Sequence, residues 1–173
     1  MWVKALSSAF DDAFARCALD FDGNLVLCGS HEDTATGHAH AILQKWTPEG
    51  QALWTRTVDT VNEAIFTDLT VWGTGIYLAG RVELTPGNDD ALALKVSGSG
   101  NLVWARRWSS DIVQGDSFAA CASFSTAAID SFEFLAAGQY SSASLDPIPI
   151  VIGWDEDGVT VRSLRLGSGG SFS

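Results

Sequence analysis

Residues 43–56, LQKWTPEGQALWTR, return about fifty positions later as LKVSGSGNLVWARR, residues 94–107. Lys45 recurs as Lys95, Gly50 as Gly100, Trp54 as Trp104 and Arg56 as Arg106. A spacing kept at once by an ammonium, a glycine, an indole and a guanidinium marks a structural unit copied along the chain. Upstream, NLVLCG (24–29) is answered by GIYLAG (75–80) and again by EFLAAG (133–138). The third copy continues through IVIGWDEDGVTVRSLRLG, where Gly158 takes the place of Gly50 and Gly100, Gly153 replaces the lysine and Arg162 the tryptophan. A partial fourth copy opens the chain, with Trp2 and Lys4 set as Trp54 and Arg56 are.

Each unit breaks into four short runs of β character. In the first they are AFARCAL, NLVLCG, AHAILQKW and ALWTRTV, with DFDG and TPEG among the connections. Asp22 and Gly23 between apolar runs form a strong hairpin signal, because both residue types accept the positive φ of a tight turn. Phe10, Phe14, Cys17, Ala18 and Phe21 also fit a helical stripe. The matching stretches EAIFTDLTVW and DSFAACASF carry β-branched and aromatic residues with weaker helical spacing, so a strand is expected there.

Four antiparallel strands per unit, repeated, predict an all-β chain of β-propeller-type blades, about three of them, each four-stranded. The expected organisation is one segment over 1–173: an extra outer strand at 1–8, blades at 9–58, 59–108 and 109–168, and a tail or link at 169–173. Closed propellers use roughly four to eight blades, so a partial or open propeller is expected, with self-association through open blade edges.

The runs DAFARCALDFDGNLVLCG and AILQKWTPEGQALW resemble the bacterial β-propeller repeats of the SBBP type. Those carry an acidic residue, small and apolar residues, a D-x-x-G-N turn, a strand ending in Gly, an apolar strand ending in Lys, a Gly turn and Trp. The resemblance covers nearly the whole chain in three units. It departs at Thr74-Gly75, in the longer third hairpin SFSTAAIDSFEF, and at Gly153. It implies a propeller scaffold, common in secreted or cell-surface bacterial proteins, with no shared catalytic residues.

Composition narrows the partners. Of 173 residues 46% are hydrophobic and 10% aromatic, enough to bury a sizeable core. Twenty-one acidic against 10 basic residues give a formal charge of −11, a field that repels phosphate backbones and anionic headgroups. Neither nucleic acid nor a membrane surface is an expected partner; a protein or carbohydrate ligand is. No apolar run approaches the about 18 residues of a spanning helix, and Asp11 and Asp12 interrupt what a signal peptide would need, so no targeting segment is expected. Cys17, Cys28 and Cys121 have no metal-site or disulfide spacing, and free, packed thiols are expected.

The three histidines fall in HEDTATGHAH, residues 31–40. His38 and His40 alternate, and His31 or Asp33 folding back would complete a first shell for a divalent metal. The competing reading is a solvated loop. Glu83, Asp89 and Asp90 occupy the matching loop of the second unit and lack a calcium-loop pattern, so surface solvation is expected. Asp12, Glu63 and Asp116 precede the first strand of their units and would either ring one channel mouth or bond the loops. Cys17 and Cys121 read as equivalent positions, with Asp68 between them. Trp2, Trp54 and Trp104 are expected to pack between blades, a sugar-stacking platform being the alternative. No nucleophile elbow, P-loop, dinucleotide fingerprint or HExxH is present. The expectation is a non-enzymatic scaffold or binding module with no cofactor beyond that metal. The alternative is part of a quinone-dependent or glycan-active propeller enzyme whose catalytic residues lie outside these blades.

Overall fold

The computed structural model describes residues 12–58, 60, 62–110, 115–126, 131–141 and 147–165. The expected strand at 1–8 and the tail at 169–173 lie outside them. Twelve strands are present among the described residues, and no helix. The first unit gives β1 (Ala13–Leu19), β2 (Leu25–Glu32), β3 (Ala39–Trp46) and β4 (Ala52–Val58). The second gives β5 (Ala64–Trp72), β6 (Gly75–Thr85), β7 (Asn88–Ser97) and β8 (Leu102–Trp108). The third gives β9 (Ser117–Thr126), β10 (Ser131–Ser141), β11 (Pro147–Trp154) and β12 (Thr160–Arg165). Each set forms its own four-stranded antiparallel sheet in sequence order, which is the blade expected from the repeat. AFARCAL is a strand, not a helix.

The blades stack face to face, with β5 lying beside both β1 and β9. Strand alternation sends successive side chains of blade 2 to opposite neighbours. Ile76 and Leu78 join Val26, Cys28, Leu43 and Phe66 in the core between blades 1 and 2. Tyr77 and Ala79 join Phe118, Phe134, Ile152 and Trp154 in the core between blades 2 and 3. Blade 2 is therefore covered on both faces. Blade 3 leaves Pro147, Pro149 and every residue of β12 exposed, giving an open, propeller-like arc.

The glycines of NLVLCG, GIYLAG and EFLAAG do not end their strands, because β2, β6 and β10 all continue beyond them. Gly29, Gly80 and Gly138 pair with Phe14, Phe66 and Phe118, beside bulges at Ala15, Thr67 and Ala119. The bulge drives the neighbouring backbone inward. A Cβ on these glycines would overlap the carbonyl oxygens of Ala13, Ile65 and Ser117 at well under 3.0 Å.

Candidate functional site

The repeated Lys, Trp and Arg build the seam between blades. Lys45 and Trp54 are direct partners across β3 and β4, as Lys95 and Trp104 are across β7 and β8. From blade 1, Lys45 Nζ and Trp54 Nε1 donate to the carbonyl of Gly98 at 3.1 and 3.2 Å, and Arg56 Nε donates to that of Gly100 at 2.8 Å. From blade 2, Lys95 Nζ and Trp104 Nε1 both donate to the carbonyl of Glu156 at 3.0 Å, and Arg106 Nε to that of Gly158 at 2.6 Å. Each triad thus seizes the turn of the following blade. Gly100 and Gly158 stand at φ 83° and 76°, and a Cβ there would press on Trp54 and Trp104 respectively. The positive φ closes the turn, and the missing Cβ admits the indole.

Trp54 and Trp104 sit between blades as expected, though unequally, while Trp2 lies outside the described residues. Trp104 is 6% exposed and flanked by Tyr77, Phe134 and Trp154 at ring-centroid distances of 6.2, 6.1 and 6.3 Å; Trp54 is half-buried. Lys45 also pairs with Asp20 at 2.7 Å. Burial opposes ionisation of Asp20, but the Lys45 ammonium and bonds from Asn24 outweigh it and hold this carboxyl below its usual range.

A second polar cluster lies on the inner strands. Asp68, 5% exposed, accepts from Arg16 Nε, Cys121 N and Leu69 N at 2.8, 2.8 and 2.9 Å, joining three blades through one carboxylate. Beside it, the bulged Thr67 hydroxyl lies 2.7 Å from the carbonyl of Phe118, and Thr70 meets Ser123 at 3.0 Å. The pairing of Phe14, Phe66 and Phe118 with the three glycines corrects the equivalence expected from sequence. Counting from Phe14, Phe66 and Phe118, Arg16 and Asp68 share one position while Cys17 matches Leu69 and Cys121. Opposite charges at one position of adjacent units were the signal that could have revealed this pair. Asp68 also disfavours ionisation of its thiol neighbours. Cys28 is pushed up to about 12, first by burial and then by Asp68, and Cys121 is raised further by the same causes. All three cysteines are free; Cys28 is packed as expected, whereas Cys17 is exposed because β1 lines an uncovered surface.

The same recount puts Ala64, not Glu63, at the place of Asp12 and Asp116. Asp116 is 1% exposed and accepts from the backbone and hydroxyl of Ser110 and the backbone of Ser141, a loop-bonding role. Glu63 pairs with Arg81, which also holds Asp89. Asp90 is not a solvated surface carboxylate: it is 2% exposed and paired with Arg107 at 3.0 Å. Its second oxygen is buried without a hydrogen-bond partner.

The histidine loop is ordered by Asp33, whose carboxylate accepts from Ala35 N and Thr36 Oγ1 at 3.0 Å and is thereby held below its usual range. His31 and His40 are register partners across β2 and β3, with ring centroids 6.5 Å apart. His40 Nε2 lies 3.9 Å from Asp33, and His31 Nδ1 3.4 Å from Asp12. His38 precedes β3, whose first residue is Ala39, and its backbone bonds to Thr36 and Asp33. Among the described residues no three His, Cys, Asp or Glu side chains are grouped closely enough to hold a metal.

No protein-family model matches the chain, and no curated protein is significantly similar to it. The fold stands on its own geometry.

Proposed function

We propose that this chain is a non-enzymatic propeller-type repeat module of the kind its SBBP-like sequence suggests, a scaffold whose open arc pairs with a second copy to present a ligand-binding surface. One observation carries the reading: the polar groups that recur at fixed spacing are engaged by neighbouring blades. The two Lys-Trp-Arg triads direct their donors at backbone carbonyls across a seam, and the unrepeated Asp68 carboxylate is engaged by three donors. Groups held in this way build an architecture and leave little freedom for proton transfer.

Three blades are fewer than a closed ring uses, and two such arcs supply six. Val161 and Leu164 on β12, with Val159 just before it, are exposed apolar side chains at the outermost strand of blade 3, which a second arc would cover. Sedimentation equilibrium tests this directly. A concentration-dependent dimer that Val161→Lys with Leu164→Lys weakens at least tenfold is the expected result; a monomer at every concentration defeats the paired arc. Turnover by the isolated chain in dye-linked dehydrogenase or glycan-cleavage assays would defeat the non-enzymatic reading.

A further inference from the structure

The two seams are built from equivalent positions but filled differently. In the seam between blades 2 and 3, Trp154 lies against Phe118 and Phe134, with centroids 5.8 Å away in each case, and Trp108 meets Tyr140 edge-on at 6.3 Å. The Arg165 guanidinium sits 4.4 Å from the Trp108 centroid and closes the outer end. In the seam between blades 1 and 2 the same three positions are Val58, Val82 and Val96, as the shared pairings of Lys45 and Lys95, Gly80 and Gly138, and Val96 and Trp154 fix them. Three rings have been exchanged for three isopropyl groups. A cleft of about 390 Å³ remains, walled by those valines with Phe66 and Leu94 and bordered by Arg56.

An apolar space of this size is not a favourable home for water. An enclosed cavity of about 150 Å³ lined by aliphatic and aromatic groups takes up benzene, and this cleft, open on one side, has the same apolar kind of wall. By that scale this cleft has room for a chain of about ten carbons. Arg56 adds chemical selectivity at its border. The guanidinium donates to the carbonyls of Thr55, Ser99 and Gly100 and lies 5.6 Å from the Trp54 ring centroid; among the described residues it meets no carboxylate, and two of its five N–H groups are unused. On a chain of formal charge −11, such a cation is the feature that would admit an anionic head.

We propose that the first seam is a binding site for a medium-chain aliphatic carboxylate, its chain among Val58, Val82 and Val96 and its head on Arg56. The site lies between blades of one chain and does not depend on pairing of arcs.

Decanoate, titrated calorimetrically into the full chain at concentrations below its micelle threshold, is the probe, with decanol as the uncharged control. Saturable binding of one equivalent is expected, with decanol at least threefold weaker. Val96→Trp installs the side chain that the second seam carries at Trp154 and should weaken decanoate at least tenfold while circular dichroism stays native. Val82→Tyr, copying Tyr140, serves if that variant does not fold. Arg56→Gln should bring the ratio of decanoate to decanol affinity to about one; loss of the Gly100 bond acts on both ligands alike, so this ratio reads the head contact and not the seam. Absence of saturable binding, or undiminished binding when the cleft is filled, overturns the site. Equal decanoate affinity in Arg56→Gln and wild type overturns the carboxylate.

Discussion

Replacing Trp104 by alanine is the sharpest test of the seam as the origin of stability. The ring is 6% exposed, touches three other aromatics and donates to the Glu156 carbonyl at 3.0 Å. Truncating a buried aromatic costs about 3–5 kcal/mol. The lost hydrogen bond belongs near the lower end of the usual about 0.5–1.5 kcal/mol, because Lys95 Nζ still donates to the same carbonyl and leaves no buried orphan. A total of about 4–5 kcal/mol is expected, against about 2 kcal/mol for Trp54→Ala, whose ring is half-buried in the aliphatic seam. With a urea dependence of about 2 kcal/mol/M for a chain of this length, Trp104→Ala should lower the midpoint by about 2 M, read by far-ultraviolet circular dichroism so that loss of the fluorophore does not matter. Gly158→Ala sharpens the test: its Cβ would lie 2.8 Å from the Trp104 ring, while its φ of 76° is unfavourable in any background. The substitution should therefore cost more in wild type than in Trp104→Ala, with a coupling on the order of 1 kcal/mol. Equal costs for the two tryptophans, or strict additivity with Gly158→Ala, would refute the argument that this ring locks the turn of the next blade.

Gly80→Ala sets a Cβ against the Ile65 carbonyl and should leave no soluble folded protein, whereas Gly73→Ala, at φ 57° with open space around it, should cost about 1 kcal/mol by thermal melting. Because Asp20 is held below the ordinary aspartate value of 3.8, its contribution is complete above that pH and is lost as pH falls through the lower folded value. Urea midpoints measured from pH 6 to 3 should drop less steeply in Lys45→Met than in wild type, and parallel curves would contradict the pairing. Thiol reagent at pH 8 should label exposed Cys17 promptly and Cys28, raised to about 12 and buried, only on unfolding; rapid labelling of Cys28 in the native state would contradict its packing.

The strands and their grouping were legible in the residues, because local chemistry sets them. AFARCAL, AHAILQKW and ALWTRTV are strands with those same limits, since apolar alternation and the glycine turns at Gly23, Gly50 and Gly100 act within a few residues. The recurrence of Lys45, Trp54 and Arg56 announced a repeated unit, but their hydrogen-bonding partners lie forty-four to fifty-three residues away, and nothing local names the carbonyls of Gly98 and Gly100. The bulges at Ala15, Thr67 and Ala119 leave no mark in apolar periodicity either. They recur at the same place in every unit; Asp68 was aligned with the cysteines, and its bond to Arg16 went unseen, because the hairpin from Phe14 to Gly29 is one residue longer than that from Phe66 to Gly80. Burial of Asp90 was hidden for another reason: read as part of a solvated loop, it lies on β7, where Arg107 of the neighbouring strand pairs with it. Sequence by itself determined what each blade is made of; the tertiary structure decided how one blade grips the next and where the wedge between them is filled by rings or left open. The physical reason is range: turn dihedrals and strand alternation are written in adjacent residues, while shape fit and charge pairing across a seam exist only after two faces have met.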